Sequence, residues 1–217
     1  VASLVGSEMC IRDRSMGVMV YVFMNLSLKY SNFISPIIIG SQLAIPFGVL
    51  ASAIMLNENI SKKKWLFVIT AFIGIVIVFF DPDLKNNLLG LFFATLMALF
   101  FAMSQVYSRD LRKLNIYLIN ASTGLFGFFI LMLVSFFIEG NTVNNIQNIN
   151  IETWLLIFYQ AIIVSLFAHM SMFYLYKFYT VGQIFPYYSL FPIFGIVLTF
   201  IVFGEVPTIL FLSLIHI

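Results

Sequence analysis

Gln183-Ile184-Phe185-Pro186-Tyr187-Tyr188-Ser189-Leu190-Phe191-Pro192-Ile193-Phe194-Gly195 runs on through Ile196–Phe203 and meets its first charge only at Glu205. With Val181 at its start, the segment is long enough to cross the hydrocarbon core of a bilayer as a helix, which takes about 17–25 residues. Hydrocarbon offers no partners to backbone N–H and C=O groups, so an apolar run without alternation must form a helix there. Six further runs read the same way: about 16–30, 34–56, 65–80, 87–106, 115–138 and 153–176. Another begins at Pro207, a residue suited to a first helical turn. The predicted fold is an all-α integral membrane protein, a bundle of about seven helices.

Composition agrees. The 217 residues are 62% hydrophobic and 9% charged, against about 45–50% and about 25% in soluble domains. A water-soluble fold of this size cannot hide so much apolar surface. The scattered cations build no dense basic face, which excludes nucleic acid as a partner. One cysteine excludes a disulfide framework and a cysteine-based zinc site. No metal and no cofactor is expected.

Both ends read as foreign. Met9-Cys10-Ile11-Arg12-Asp13-Arg14 can be encoded by ATG TGT ATA AGA GAC AG. The reverse complement, CTG TCT CTT ATA CAC AT, encodes Leu212-Ser213-Leu214-Ile215-His216 and begins Ile217. One oligonucleotide in two orientations thus accounts for both termini, and it resembles the mosaic-end adapter of sequencing libraries. Leu4-Val5-Gly6-Ser7-Glu8 fits its upstream continuation. Residues 1–14 and 212–217 are therefore read as adapter-derived and set aside, with the expectation that they have no consistent packing partners. The protein proper is about residues 15–211, cut at both ends.

Charge sets the orientation. Lys62, Lys63, Lys64, Arg109, Arg112, Lys113 and Lys177 occupy one set of alternating loops, whereas Lys29 and Lys85 occupy the other. The positive-inside rule places the Lys62–Lys64 and Arg109–Lys113 loops in the cytoplasm of a multi-pass inner-membrane protein. The Asp81–Asn86 and Gly140–Asn150 loops then face outward. Ser61 is placed to cap the helix that starts at Lys62.

The chain also repeats. Gly48 to Glu58 and Gly195 to Glu205 share one spacing, a shift of 147, and Pro46 and Pro192 precede the two glycines closely. Glu58 ends a helix inside and Glu205 ends one outside, as expected for inverted repeats in a transporter. The stretch from Gln183 to Gly195, ending at Gly204-Glu205, resembles the second-repeat signature of the EamA family in the drug/metabolite transporter superfamily. Gln42-Leu43-Ala44-Ile45-Pro46-Phe47-Gly48 through Asn57-Glu58 is similar to the first-repeat counterpart, with Asn57 where that repeat usually carries Gly. The resemblance implies ten helices in two inverted five-helix repeats. Residues 15–85 would close the first repeat, and 86–211 would form helices six to nine and the start of the tenth. It further implies a permease moving a small polar metabolite by alternating access, most like exporters of amino-acid-like compounds. A homodimer is a further assembly open to such a protein.

Polar side chains inside apolar helices mark a pathway, because they cost energy unless they face protein or water. The candidate substrate-binding residues are Asn25, Gln42, Pro46, Gln105, Gln160, His169, Tyr188, Ser189 and Pro192. Gln42 leads. Pro46 has no N–H for the Gln42 carbonyl, and Pro192 has none for that of Tyr188, so both carbonyls are expected to be open to a ligand. Interhelical hydrogen bonding is the competing role for these residues. His169 could carry a proton or simply bond between helices. Lys29 and Lys177 read as snorkelling cations, and Glu58 as a partner for Lys62 one turn on. Gly90 and Ala94 suggest close helix contact. Enzyme readings fail: a dyad of His169 with Ser165 or Ser171 lacks a glycine-flanked serine elbow. The remaining alternative to a carrier is a membrane scaffold or sensor.

Overall fold

The computed structural model describes residues 2–32, 34–79, 87–139, 147 and 149–204. The Asp81–Asn86 loop, most of Gly140–Asn150, and Glu205, Pro207 and residues 212–217 lie outside them. Among the described residues every regular element is helical. In chain order these are α1 (Ala2–Arg14), a π-helical turn (Ser15–Met19), α2 (Val20–Lys29), α3 (Ser35–Ser41), α4 (Ala44–Met55), α5 (Lys62–Phe79), α6 (Leu88–Asp110) and α7 (Ile116–Glu139). Then follow α8 (Ile151–Tyr159), π-helical Gln160–His169, α9 (Met170–Leu175), α10 (Val181–Ile184), 3₁₀-helical Phe185–Leu190 and α11 (Phe191–Phe203).

Among the described residues, four rods are long and apolar enough to cross a membrane: Leu88–Asp110, Ile116–Phe137, Ile151–Leu175 and Val181–Val202. They match four of the expected spans. The run 34–56 is not one rod, because the chain turns at Gln42–Leu43 between α3 and α4. Pro46 causes this: without its N–H the helix tightens, and Leu43 N bonds Gly40 O (3.2 Å) while Ile45 N bonds Gln42 O (3.0 Å). The run 65–80 starts earlier, at Lys62, with Lys64 N donating to the Ser61 Oγ cap (3.4 Å). As an outer helix, α5 leaves Leu66, Phe67, Ile69 and Ile73 exposed.

The chain forms two compact units, Val1–Val18 with Tyr107–Tyr179, and Met19–Val106 with Thr180–Ile217. In the second unit α6 is the core helix. Leu91, Ala94, Ala98 and Ala102 repeat on one face, and each is wholly buried. Their small size admits neighbours closely: a Cβ on Gly40 would come 2.9 Å from the Ala94 Cβ, and one on Gly90 would come 3.0 Å from Ser27 O. The close contact expected at Gly90 and Ala94 is what forms.

In the first unit α1 packs on α7, which corrects the expectation that residues 1–14 lack partners. Arg12 is wholly buried. It donates to Ser108 Oγ (2.8 Å), Ile119 O (2.9 Å), Thr123 Oγ1 (2.5 Å) and Asp13 Oδ1 (2.9 Å). A buried guanidinium without partners is prohibitively costly, so among apolar helices it gathers the few acceptors within reach. Such packing bears on side chains and not on the DNA from which residues 1–14 were translated. In the same unit Gly17 meets Gly127 backbone to backbone, where a Cβ on Gly127 would lie 2.6 Å from Gly17 O. The rod Ile151–Leu175 presents mostly exposed apolar side chains, including Leu155, Phe158, Ile162 and Phe167.

Candidate functional site

Of the nine sequence-derived candidates, Gln160 and His169 belong to the first unit and the other seven to the second. Gln160 is exposed. His169 is half-buried, with its ring 6.4 Å from that of Phe173. Asn25 is exposed, and its Nδ2 donates to Tyr21 O of its own helix (2.8 Å). That self-contained bond, which any short amide in a helix can make, explains why it joins no other candidate. The side chains of Ser189 and Pro192 lie outside those described.

Of the remaining candidates, Gln42 lies in the turn before α4, whereas Pro46, Gln105 and Tyr188 lie on α4, α6 and the segment after Val181, which meet around Phe185. Phe185 is wholly buried. Its ring stacks on Tyr188 (5.4 Å) and meets Phe101 of α6 edge-on (6.5 Å), while Phe101 and Tyr188 are 5.6 Å apart. On α4, a Cβ at Gly48 would come 2.8 Å from Phe185 Cζ, so only glycine fits beneath that ring. Pro46, buried, lies half a turn before Gly48, and Gln105, wholly buried, lies one turn after Phe101. Gln105 Nε2 donates to Ser104 Oγ (3.4 Å). The aromatic pair Phe101 and Phe185 was not among the sequence candidates. Phe is too common in this chain, 26 residues, to stand out.

The two carbonyls expected to be open are both occupied. Gln42 O accepts from Ile45 N (3.0 Å), and Tyr188 O accepts from the N–H of Phe191. In each case the residue just before the proline supplies the bond, three residues on instead of four, so the backbone stays satisfied by tightening to 3₁₀ geometry. The open group near Gln42 is instead its side-chain oxygen. Oε1 is buried and has no hydrogen-bond partner, a state that costs about 1–3 kcal/mol and is relieved by any ligand N–H or O–H.

One further cluster lies where the loop after α4 meets the start of α10. Asn57 has φ 51°, a left-handed turn that Asn tolerates. It reverses the chain, so that Glu58 N donates back to Ser52 O (3.3 Å). The Glu58 side chain does not pair with Lys62. Its Oε1 and Oε2 accept from Val181 N and Gly182 N (3.3 Å each), because unpaired first-turn N–H groups attract a carboxylate more strongly than a solvated lysine does.

The profile of the EamA-like transporter family matches residues 88–217. No curated protein matches the chain. With well over half of its residues inside that family match, the chain belongs to the EamA-like transporter family, and is a membrane transporter and not an enzyme.

Proposed function

We propose that residues 15–211 are helices three to nine, and the start of helix ten, of an inner-membrane secondary carrier built from two inverted repeats. Residues 15–85 close the first repeat and 86–211 lie in the second. The carrier moves a small polar metabolite, of the amino-acid-like class, outward by alternating access. Lys62–Lys64 and Arg109–Lys113 face the cytoplasm.

The observation that carries the reading is a pair of reciprocal contacts. A Cβ on Gly48 would strike Phe185, and a Cβ on Gly195 would touch Ile38 (3.2 Å to Cδ1). Residues 48 and 195 differ by the same 147 positions as 38 and 185. Contacts of i with j and of the equivalent j with i are what a two-fold relation between repeats produces. The same shift joins Asn57 to Gly204, and these are the left-handed residues among those described. A left-handed residue thus follows both α4 and α11 at equivalent positions, as inverted repeats of one turn would place it. Repeat interfaces near mid-membrane are where carriers of this architecture hold substrate. The buried, unpartnered Oε1 of Gln42 suits a ligand with an N–H donor.

The test is transport by the ten-helix parent protein, recovered from the source DNA and reconstituted in liposomes loaded with labelled amino acids. Saturable efflux of at least one of them, reduced by Gln42→Ala and by Gln105→Ala, is the expected result. A parent protein that moves none, while folded and inserted, would overturn the substrate class. Recovery of a continuous natural reading frame through Val1–Arg14 would overturn the fragment boundaries.

A further inference from the structure

The contacts at the start of α10 do more than end a helix. Three successive backbone donors there are satisfied by side chains. Thr180 N donates to Gln183 Oε1 (2.9 Å), one turn on, while Val181 N and Gly182 N donate to Glu58, more than a hundred residues away in sequence. The backbone acceptor is taken too. In a regular helix Gly182 O would bond the N–H of residue 186, but that residue is Pro186, which has none. Lys64 Nζ donates to Gly182 O instead (3.1 Å). The first turn of this membrane-crossing rod is therefore gripped on both sides, by a carboxylate at the end of α4 and an ammonium on α5. Val181 is wholly buried under the grip.

We propose that Glu58 and Lys64 form a clamp on Val181–Gly182 that holds the lysine-rich end of this unit closed, and that the carrier releases it when it opens to that side. This rests on the transport reading above. Four features mark a device that can open, rather than packing alone. Both charges reach backbone groups and not each other. The acceptor that Lys64 uses is left without its i+4 helical donor by Pro186. The elements gripped are the beginning of one repeat's pore helix and the end of the other's. Finally, Glu58 hangs from a single left-handed residue, Asn57, so a small change at that turn carries the carboxylate away.

The experiment reads opening without any substrate. Val181→Cys is placed in the ten-helix parent protein with its other cysteines replaced by serine, the protein is purified in detergent, and the rate of labelling by a polar maleimide is measured well below the melting temperature. Slow labelling is expected with Glu58 and Lys64 in place. Labelling should be at least about tenfold faster with Glu58→Ala, because two charge-assisted hydrogen bonds are lost together, and about threefold faster with Lys64→Ala. Pro186→Ala gives Gly182 O an internal partner, so Lys64→Ala in that background should change the rate little. Should Glu58→Ala fail to stay monodisperse, Glu58→Gln keeps the volume and one acceptor, and an increase of about threefold is expected. An unchanged labelling rate overturns the proposal, and so does a lower melting temperature with unchanged labelling, which would make Glu58 a static cap. Efflux from liposomes is measured on the same variants. Absence of flux from the parent and every variant, with the expected differences in labelling, would count against the transport reading and leave the clamp standing.

Discussion

Gly48→Ala and Gly195→Ala probe reciprocal positions with unequal space, so their difference can be worked from the geometry. An alanine at 48 puts a methyl 2.8–3.0 Å from three carbons of the Phe185 ring. That ring is wholly buried and fixed between Tyr188 and Phe101, so it cannot swing away as the end of a flexible chain would. Overpacking of this kind costs about 1–3 kcal/mol, and the better helix propensity of alanine returns up to about 1 kcal/mol. The net loss of about 1–2 kcal/mol corresponds to a fall in melting temperature of about 2–8 °C for a chain of this size. At 195 the nearest atom is Ile38 Cδ1 at 3.2 Å, the far end of a rotatable side chain, which can give by a few tenths of an ångström. Gly195→Ala should therefore lie within about 0.5 kcal/mol of the parent. The assay is thermal unfolding in detergent followed by size-exclusion chromatography. Adding Phe185→Leu to Gly48→Ala should recover part of the loss, giving a coupling of about 0.5–2 kcal/mol in the double-mutant cycle. Equal losses at 48 and 195, or additive effects of the 48 and 185 substitutions, would refute the reasoning.

Pro46→Ala supplies the missing N–H to a Gln42 carbonyl now held by Ile45, so α3 and α4 should merge into one rod; amide exchange at residues 42–46 should slow, and efflux should fall. Pro192→Ala should act likewise at Tyr188. Ala98→Leu adds a bulky chain to a wholly buried position on α6 and should destabilise by about 1–3 kcal/mol or more, seen as loss of monodisperse protein, whereas Leu66→Ala on exposed α5 should change little. For orientation, Lys63→Cys should react with an impermeant maleimide only from the cytoplasmic side, and Gln147→Cys only from outside; labelling of both from one side would reverse the topology.

Much of this protein was legible in its sequence, because a bilayer leaves the backbone few choices. Apolar runs of sufficient length have to be helices, and their limits followed from charges and turn residues: Ser61 caps α5, and α6, α7 and the rods from Ile151 and Val181 lie where hydropathy put them. The family was legible as well, in the residues from Gln183 to Glu205. What the sequence could not decide was partnership, since a side chain's bonds depend on which helices arrive beside it. Pro46 announced a missing N–H, but only the folded chain revealed that Ile45 fills the vacancy and that the open oxygen belongs to the Gln42 side chain. Glu58 had Lys62 one turn away and instead took two amides more than a hundred residues distant, because helix packing brought bare first-turn N–H groups within its reach. Gly48 stood out as one end of a repeated spacing, but only the fold laid Phe185 across it. One-dimensional periodicity fixes which segments enter the membrane; only three-dimensional packing fixes which atoms within it meet.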